Sequence, residues 1–179
     1  MDTTTWLCGP PPAHGQRQRY PSRFVYNIKR TYLTPEMRVL SMFSGSSEIG
    51  DTTDVRAETG AMFVAPYDAL PEGIGPYDIV IADPPYTAGF GQRWAGEMAD
   101  ATLPRPKRIA ASAMHVLRPG GLFLLLHIIV LPAYKDLGME RVALHPILCG
   151  PNNAIRVLNV MRKRPTLPGF GSAPEEMTR

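Results

Sequence analysis

Short apolar runs alternate with polar, turn-forming segments along most of this chain. The runs have strand length, and most of them are apolar without the polar alternation of a half-exposed strand. A strand that is apolar on both faces is typical of a parallel sheet covered on both sides. The pattern therefore predicts five parallel strands, at residues 38–43, 53–58, 61–65, Tyr77–Ala82 and 120–130.

The last part of the chain has a different pattern. Two runs, 141–149 and 154–163, flank the turn sequence Gly-Pro-Asn-Asn and are predicted to pair as an antiparallel hairpin. Helices are predicted at 21–32 and 94–117, the second interrupted by the prolines of Leu-Pro-Arg-Pro. Together these elements predict an α/β fold: a Rossmann-like, doubly wound, mostly parallel seven-stranded sheet with a C-terminal antiparallel hairpin.

The connections between the first three strands are too short for ordinary crossover helices. About nine residues separate the first strand from the second, and fewer separate the second from the third. A parallel crossover normally takes a dozen residues or more. We therefore expect shortened early helices and one thinly covered sheet face, shielded by the N-terminal helix, by a second copy in a homodimer or by a partner subunit.

Length and composition fit a single globular domain. The chain has 179 residues, 44% hydrophobic and 20% charged. Residues 1–15 and 165–179 are predicted to be flexible tails around one domain at 16–164. The longest apolar run, 122–131, is far shorter than the ~20 residues of a membrane span. The N-terminus lacks the pattern of a secretory signal, so we expect a cytoplasmic protein with no membrane partner.

Charge and cysteine content narrow the function only a little. The net charge of +3 and the pI near 9.0 are compatible with a polyanionic partner. Cys8 and Cys149 lie far apart in the sequence and are predicted to be free thiols. Histidine, cysteine and acidic residues form no cluster with metal-ligand spacing, so no metal is predicted. His127 ends the fifth strand close to the expected pocket and is assigned no catalytic role.

The strand Tyr77–Ala82 is followed by Asp83, Pro84, Pro85 and Tyr86. Two prolines make this loop rigid and leave the Pro84 carbonyl without a competing local partner. A carboxylate and a fixed carbonyl can together accept both hydrogens of one amino group, and the flat tyrosine ring can stack on the base that carries it. The pattern indicates a catalytic group of these four residues that presents an amino nitrogen to an electrophile. An incidental acid in a turn is the weaker alternative.

Three further segments are typical of a nucleotide-like cofactor site. Residues 43–50 follow the first strand, and their glycines allow the backbone to approach a ligand, although an ordinary strand-to-helix turn explains them equally well. Asp54 stands where such sites place a carboxylate for ribose hydroxyls, with Glu58 as the alternative. Asp68 is a candidate to accept a hydrogen bond from an adenine amino group, or a plain turn former.

The Asp-Pro-Pro-Tyr sequence after an apolar strand resembles motif IV of the class I S-adenosylmethionine-dependent amino-methyltransferases, notably the adenine-N6 DNA methyltransferases. Residues 39–50 are similar to motif I of that family, 115–127 to the segment through its fifth strand, and 156–164 to its last strand. The resemblance covers roughly 38–164. Ser41 and Ser47 replace the acid and the second glycine that are usual in motif I.

The resemblance implies S-adenosylmethionine (SAM) as cofactor and a catalytic pocket formed by Asp83, Pro84 and Tyr86. It also implies that the motif I loop and the neighbouring acids contact the methionine and ribose parts of SAM. The predicted cofactor-binding residues are Phe43, Ser44, Gly45, Ser46, Asp54, Asp68 and Asp83.

Basic and aromatic residues are interleaved before the first strand, with Tyr20, Phe24 and Tyr26 among five cations and no acid between residues 16 and 30. This pattern is typical of a platform for single-stranded nucleic acid, or of an amphipathic helix that packs its aromatic rings on the sheet. The loop after Tyr86 supplies further residues that can grip a base. The predicted substrate-binding residues are Phe90, Arg93, Trp94, Tyr20 and Arg23.

These observations predict an enzyme that transfers a methyl group from SAM to an exocyclic amino nitrogen of a nucleobase, with adenine N6 in DNA favoured. Ribosomal RNA guanine-N2 methyltransferases use a similar motif, so this activity is kept as an alternative. Protein glutamine methylation is less favoured, because it usually accompanies Asn at the position of Asp83. A partner subunit of the same fold without catalysis also stays open.

Overall fold

A mixed nine-stranded sheet runs through the part of the chain that the computed structural model describes, namely residues 1–9, 20–21, 23–45, 47, 49–86, 103–149 and 155–165. Its strands are β1 (Asp2–Thr3), β2 (Trp6–Leu7), β3 (Val39–Met42), β4 (Asp51–Asp54), β5 (Phe63–Val64), β6 (Tyr77–Ala82), β7 (Leu117–His127), β8 (Met139–Leu148) and β9 (Ile155–Lys163). The α-helices in these residues are α1 (Phe24–Tyr32) and α2 (Pro106–Val116).

The strand order is β1-β8-β9-β7-β6-β3-β4-β5, and β2 also pairs with β8. The strands β5, β4, β3, β6 and β7 are parallel, whereas β9 runs antiparallel to both β7 and β8. From β3 the chain moves outwards through β4 and β5, then returns to the other side of β3 to form β6. The predicted Rossmann-like, mostly parallel sheet with its C-terminal antiparallel hairpin is therefore confirmed. It has nine strands instead of the predicted seven, because β1 and β2 add to the edge at β8.

The expected shortening of the early helices is also observed. A single 3-10 turn, Ala57–Thr59, lies between β4 and β5, and the described residues between β3 and β4 form no helix. The second strand ends earlier than predicted, because the Asp54 carboxylate accepts a hydrogen bond from the backbone N–H of Arg56 and turns the chain out of the sheet. Of the long helix predicted at 94–117, residues 94–102 lie outside the described residues and the rest forms α2.

The first nine residues, which were predicted to belong to a flexible tail, form one edge of the sheet. Both β1 and β2 pair in parallel with β8. Trp6 is only 6% exposed and stacks on His145, with ring centroids 4.6 Å apart. Burial of one large aromatic side chain contributes about 2–3 kcal/mol to stability. This contribution explains why two such short strands stay paired with β8. The domain limits at 16 and 164 remain predictions.

Apolar side chains pack against both faces of the sheet. Helix α1 buries Phe24 and Ile28 in one cluster, together with Trp6, and α2 buries Ile109 in the other. Of the two interpretations of residues 16–30, a nucleic-acid platform or an amphipathic helix that packs on the sheet, the second is therefore right for Phe24. Neither helix is both long and apolar enough to cross a membrane, and the same holds for every helix in the described residues.

The end of the sheet at β4 and β5 has thin cover. Val55, Met62 and Val64 are large apolar residues that are exposed there. This is the region where the crossovers are reduced to turns, as the short spacing predicted. Cover by a second copy of the chain or by a partner subunit stays a prediction.

Replacing Gly50 by Ala is expected to destabilise the fold by about 3 kcal/mol or more, since a Cβ there would lie 2.2 Å from the Val39 carbonyl oxygen. Gly60→Ala is the matched control. Its φ is also positive, +73° against +65° at Gly50, but a Cβ at Gly60 meets nothing within 4 Å. We expect the control to cost only about 1 kcal/mol. Urea unfolding measures both, and equal losses would contradict the close approach of Gly50 to Val39.

Replacing Trp6 by Ala is expected to lower the free energy of unfolding by about 3 kcal/mol, because it removes the ring that packs on His145 and Phe24. Leu7→Ala, in the same short strand, should change it by less than about 0.5 kcal/mol, since Leu7 is 69% exposed. Thermal and urea unfolding would test this pair. A Trp6→Ala protein as stable as the wild type would mean that the N-terminal edge adds nothing to the fold.

Candidate active site

The candidate site lies at the carboxyl ends of β3 and β6, the two strands between which the strand order reverses. Met42 and Ala82 are register partners in the parallel ladder, so Phe43 and Asp83 leave the sheet next to each other. Open α/β sheets bind ligands at such points. The fold therefore brings together the glycine-containing loop and the Asp-Pro-Pro-Tyr loop, which the sequence presents as two separate signals.

Asp83 is a largely buried carboxylate, with 15% of its side chain exposed. Its Oδ1 accepts a hydrogen bond from the Tyr86 hydroxyl, and its Oδ2 lies 3.7 Å from Nη1 of Arg156. Burial raises the pKa of Asp83, while the Arg156 cation acts in the opposite direction. An isolated carboxylate would be costly to bury, so these two partners stabilise its ionised form.

The Tyr86 ring lies between a cation and a histidine. The Arg156 guanidinium is 5.4 Å from the ring centroid, and the His127 ring meets Tyr86 edge-on at 5.1 Å. Burial and the adjacent Asp83 charge raise the pKa of Tyr86, so its hydroxyl keeps the proton that it donates to Asp83. Burial lowers the pKa of His127. The expectation that His127 lies close to the pocket is confirmed.

Arg156 is the site residue that sequence reasoning missed. It lies on β9, is 19% exposed, and reaches Asp83 because β9 runs antiparallel to β7. That pairing places Val157 opposite His127, so the beginning of β9 lies at the same edge of the sheet as the end of β6. No local pattern around Arg156 signals this position, because only the pairing of distant strands creates it.

The loop after β3 has an unusual backbone. Phe43 and Gly45 have φ of 56° and 52°, in the left-handed region, and the Phe43 ring packs on Tyr67 with centroids 5.4 Å apart. Ser44 is buried, and its hydroxyl has no hydrogen-bond partner among the described residues. Ser46, the fourth predicted residue of this loop, lies outside the described residues.

Asp54 holds this loop in place. Its Oδ2 accepts hydrogen bonds from the backbone N–H of Gly45 at 3.0 Å and from Nη2 of Arg56 at 3.2 Å. Its Oδ1 accepts from the backbone N–H of Arg56 at 3.1 Å and from Nε at 3.0 Å. Four donors occupy the acceptor sites of one carboxylate. In this arrangement Asp54 braces the loop, and its predicted role toward ribose hydroxyls requires Arg56 to release it.

Asp68, the candidate partner of an adenine amino group, forms an ion pair at the surface. Asp68 pairs with Arg108 of α2 at 3.1 Å, and both side chains are well exposed. Its neighbour Tyr67 is the residue of this segment that reaches the site, through its contact with Phe43. The sequence offered no signal for Tyr67 beyond its position after the third strand.

The predicted substrate-binding residues divide into three groups. Tyr20 lies at the site: burial and the Asp83 charge raise the pKa of its hydroxyl. Ser41 and Ser47 lie near that hydroxyl, but no described polar atom meets it in hydrogen-bonding geometry. Arg23 is exposed at the beginning of α1. The third group, Phe90, Arg93 and Trp94, lies outside the described residues.

Across the described ranges, histidine, cysteine and acidic side chains form no group of three or more that could hold a metal ion. The charged side chains at the site are Asp83 and Arg156, and the Tyr86 hydroxyl donates to Asp83 while the Tyr86 ring contacts His127.

Replacing Arg156 by Leu is expected to raise the pKa of Asp83 further, because burial then acts without the opposing cation. At pH 8 the variant should lose about 2–3 kcal/mol of stability, since it leaves a buried carboxylate without its ion-pair partner. The loss should shrink as the pH falls below the Asp83 pKa, where the carboxyl is neutral. Carbon-13 NMR titration of labelled aspartates and urea unfolding at several pH values measure both effects.

Arg162→Leu, on the same strand but in an exposed pair with Glu140, is the control. It should leave the Asp83 titration unchanged. An unchanged Asp83 pKa in the Arg156→Leu protein would contradict the ion pair.

Similarity to known proteins is found at the level of structure. No family model and no curated protein matches the sequence. A SAM-dependent methyltransferase from Methanosarcina mazei aligns with a TM-score of 0.52 and 12% identity, over 79% of this chain and 99% of that one. A TehB-like SAM-dependent methyltransferase from Corynebacterium glutamicum aligns with a TM-score of 0.51 and 10% identity, over 77% and 86%.

TrmN from Thermus thermophilus aligns with a TM-score of 0.51 and 16% identity, over 78% of this chain and 47% of that one. The chain therefore spans about half of the Thermus protein and almost the whole of the Methanosarcina protein. At these identities the similarity concerns the fold alone. The chain shares the Rossmann-like fold of these SAM-dependent methyltransferases.

Proposed function

We propose that this protein is a SAM-dependent methyltransferase that acts on an exocyclic amino nitrogen of a nucleobase, with adenine N6 in DNA favoured. The observation that carries the proposal is the joint exit of the Phe43 loop and of Asp83 from the neighbouring strands β3 and β6. Methyl transfer needs a donor site and an acceptor site in contact. The register of β3 with β6 supports this, because the Phe43 loop, the proposed cofactor site, and the Asp83 loop, the proposed amine site, start next to each other.

The residues around the Phe43 loop fit a polar cofactor. The hydroxyls of Ser44 and Tyr20 are buried and have no hydrogen-bond partner among the described residues. A buried polar group left unpaired costs about 1–3 kcal/mol, so a ligand that bonds to these hydroxyls gains affinity from them. Phe43, the neighbour of Ser44, packs on Tyr67 and adds an aromatic surface next to that hydroxyl. When bound, SAM would supply a methyl group already activated by its sulfonium charge.

The residues around Asp83 fit a neutral amino group. The carboxylate can accept one hydrogen of the amine in the position now taken by the Tyr86 hydroxyl, and the Pro84 carbonyl can accept the second. These contacts direct the nitrogen lone pair away from both oxygens. After transfer the nitrogen must lose a proton, and Asp83, with a pKa raised by burial, is placed to take it.

A nucleobase in a duplex is stacked and paired, so the substrate must be single-stranded or have its base flipped out. The Tyr86 ring is the surface on which such a base would stack, and Arg156 lies above that ring in the free protein. Adenine in DNA is favoured because of the Asp-Pro-Pro-Tyr motif, and the charge of +3 fits a polyanion. Guanine N2 in RNA offers an amino group of the same kind.

Labelled methyl transfer from SAM to DNA, RNA and protein, followed by nucleoside mass spectrometry, tests the proposal. We expect label in DNA, as N6-methyladenine. Label confined to RNA or to protein would overturn the DNA assignment. Tight SAM binding without any transfer would support the partner subunit that lacks catalysis.

Asp83→Asn should reduce methyl transfer by at least about a hundredfold, because the amide cannot accept the proton and presents a donor to the amine. Binding of SAM, measured by calorimetry, should be largely preserved, since the unpartnered hydroxyls of Ser44 and Tyr20 remain. Asp136→Asn is the control, as this acid is exposed in a turn and pairs with Lys107. Wild-type turnover in the Asp83→Asn protein would refute the catalytic role.

A further inference from the structure

The two cysteines of the chain, far apart in sequence, lie side by side in the fold. The parallel ladder pairs Trp6 with Ile147 and Leu7 with Leu148, so Cys8 and Cys149 are the next residues of the same two strands. The Cys8 N–H donates to the Leu148 carbonyl at 2.9 Å, which continues the pairing one step beyond the ladder. Both cysteines are free and belong to the same buried cluster as Trp6 and Ile147.

This placement suits a disulfide. Neighbouring strands lie about 4.8 Å apart, within the range of about 4.4–6.8 Å between the Cα atoms of bonded cysteines. In a strand, side chains two residues apart share a face, so Cys8 lies on the face of Trp6 and Cys149 on that of Ile147. The negative charge of Cys149 is one cause that raises the pKa of Cys8, as expected for neighbouring sulfurs.

We propose that Cys8 and Cys149 form a dithiol site that a low-molecular-weight disulfide, such as oxidised glutathione, converts into an intramolecular disulfide. One cysteine thiolate attacks a glutathione sulfur, breaks the glutathione S–S bond and releases one glutathione thiolate. The second cysteine thiolate then attacks the protein sulfur of this mixed disulfide and releases the second glutathione. The two cysteines are oxidised, one glutathione disulfide is reduced, and the two cysteine protons leave with the two glutathione thiols.

The surroundings make this reaction slow and pH-dependent. The side chains are buried, with 5% of Cys8 and 9% of Cys149 exposed, and burial raises the pKa of both thiols. The Asn27 side-chain N–H donates to the Cys8 sulfur at 3.8 Å and favours its thiolate, as does the Arg23 cation. At Cys149 the Arg156 cation lowers the pKa of the thiol and the Asp83 charge raises it, but burial is the largest cause at both cysteines. Detachment of the short strand β2, which meets β8 at only two register pairs, would give a disulfide reagent access to the site. The reaction should therefore accelerate as the pH rises, because the thiolate is the attacking species.

The bond would tie the N-terminal edge to the C-terminal hairpin across most of the chain. A link that closes so long a loop restricts the unfolded state strongly, so we expect the oxidised protein to melt roughly 10 °C higher than the reduced protein. The inference concerns this edge of the sheet and does not depend on the proposed methyl transfer.

The test incubates the full chain with oxidised glutathione at pH 7 and at pH 9, then maps disulfides by mass spectrometry without reduction. We expect a protein lighter by two hydrogens, a linked peptide pair that contains Cys8 and Cys149, faster formation at pH 9 and a higher melting temperature. A thiol reagent added before oxidation should report two titratable thiols, and none afterwards. Dithiothreitol should restore both thiols and the original melting temperature.

Cys8→Ser and Cys149→Ser are matched controls, each of which keeps one thiol. Both should form only a stable glutathione adduct and show no rise in melting temperature. The proposal is overturned if wild-type protein carries separate glutathione adducts on both cysteines, if it forms only disulfide-linked dimers, or if neither thiol reacts in the folded protein at pH 9. The first two results would show that the two sulfurs do not meet, and the third would show that oxidised glutathione does not reach them in the folded protein.

Discussion

The parallel pairing of β3 with β6 brings the ends of two distant chain segments together, since Met42 and Ala82 are partners in one register. A shift of the ladder by one residue would turn every side chain of β6 to the opposite face and move Asp83 away from the Phe43 loop. The packing on both faces of the sheet prevents such a shift, because Ile79, Ile81 and Val80 are fully or almost fully buried on alternate sides. The position of the site therefore depends on the core.

At the carboxyl ends of these strands, the buried carboxylate of Asp83 requires neighbours that can pair with it. Asp83 is removed from water and must be paired, and the chain meets this need with the Tyr86 hydroxyl and the Arg156 cation. The arrangement keeps an acid with a raised pKa available in a pocket lined by aromatic rings. In the proposed reaction, this carboxylate is the group that would take the proton from the substrate amine.

The edge of the sheet formed by β1, β2 and β8 joins the N-terminal residues to the C-terminal hairpin. His145 is fully buried. Its Nδ1–H donates to the Thr4 carbonyl, its Nε2 is hydrogen-bonded with the Tyr32 hydroxyl, and its ring stacks on Trp6. These contacts, rather than the length of the ladder, hold the short strands β1 and β2 against β8. The N-terminal edge thereby shields the β8–β9 hairpin, from which Arg156 reaches the site.

The sequence by itself determined the elements whose signal is local. Continuous apolar runs gave the central parallel strands, the Gly-Pro-Asn-Asn turn indicated the hairpin, and the rigid Asp83–Tyr86 segment indicated the chemistry, because strand periodicity and proline geometry act over a few residues. Only the tertiary structure decided what depends on pairing between distant segments. Arg156 beside Asp83, Tyr67 beside Phe43, Asp54 as a brace of the loop, and Cys8 beside Cys149 all result from strand order and register, which no local pattern encodes.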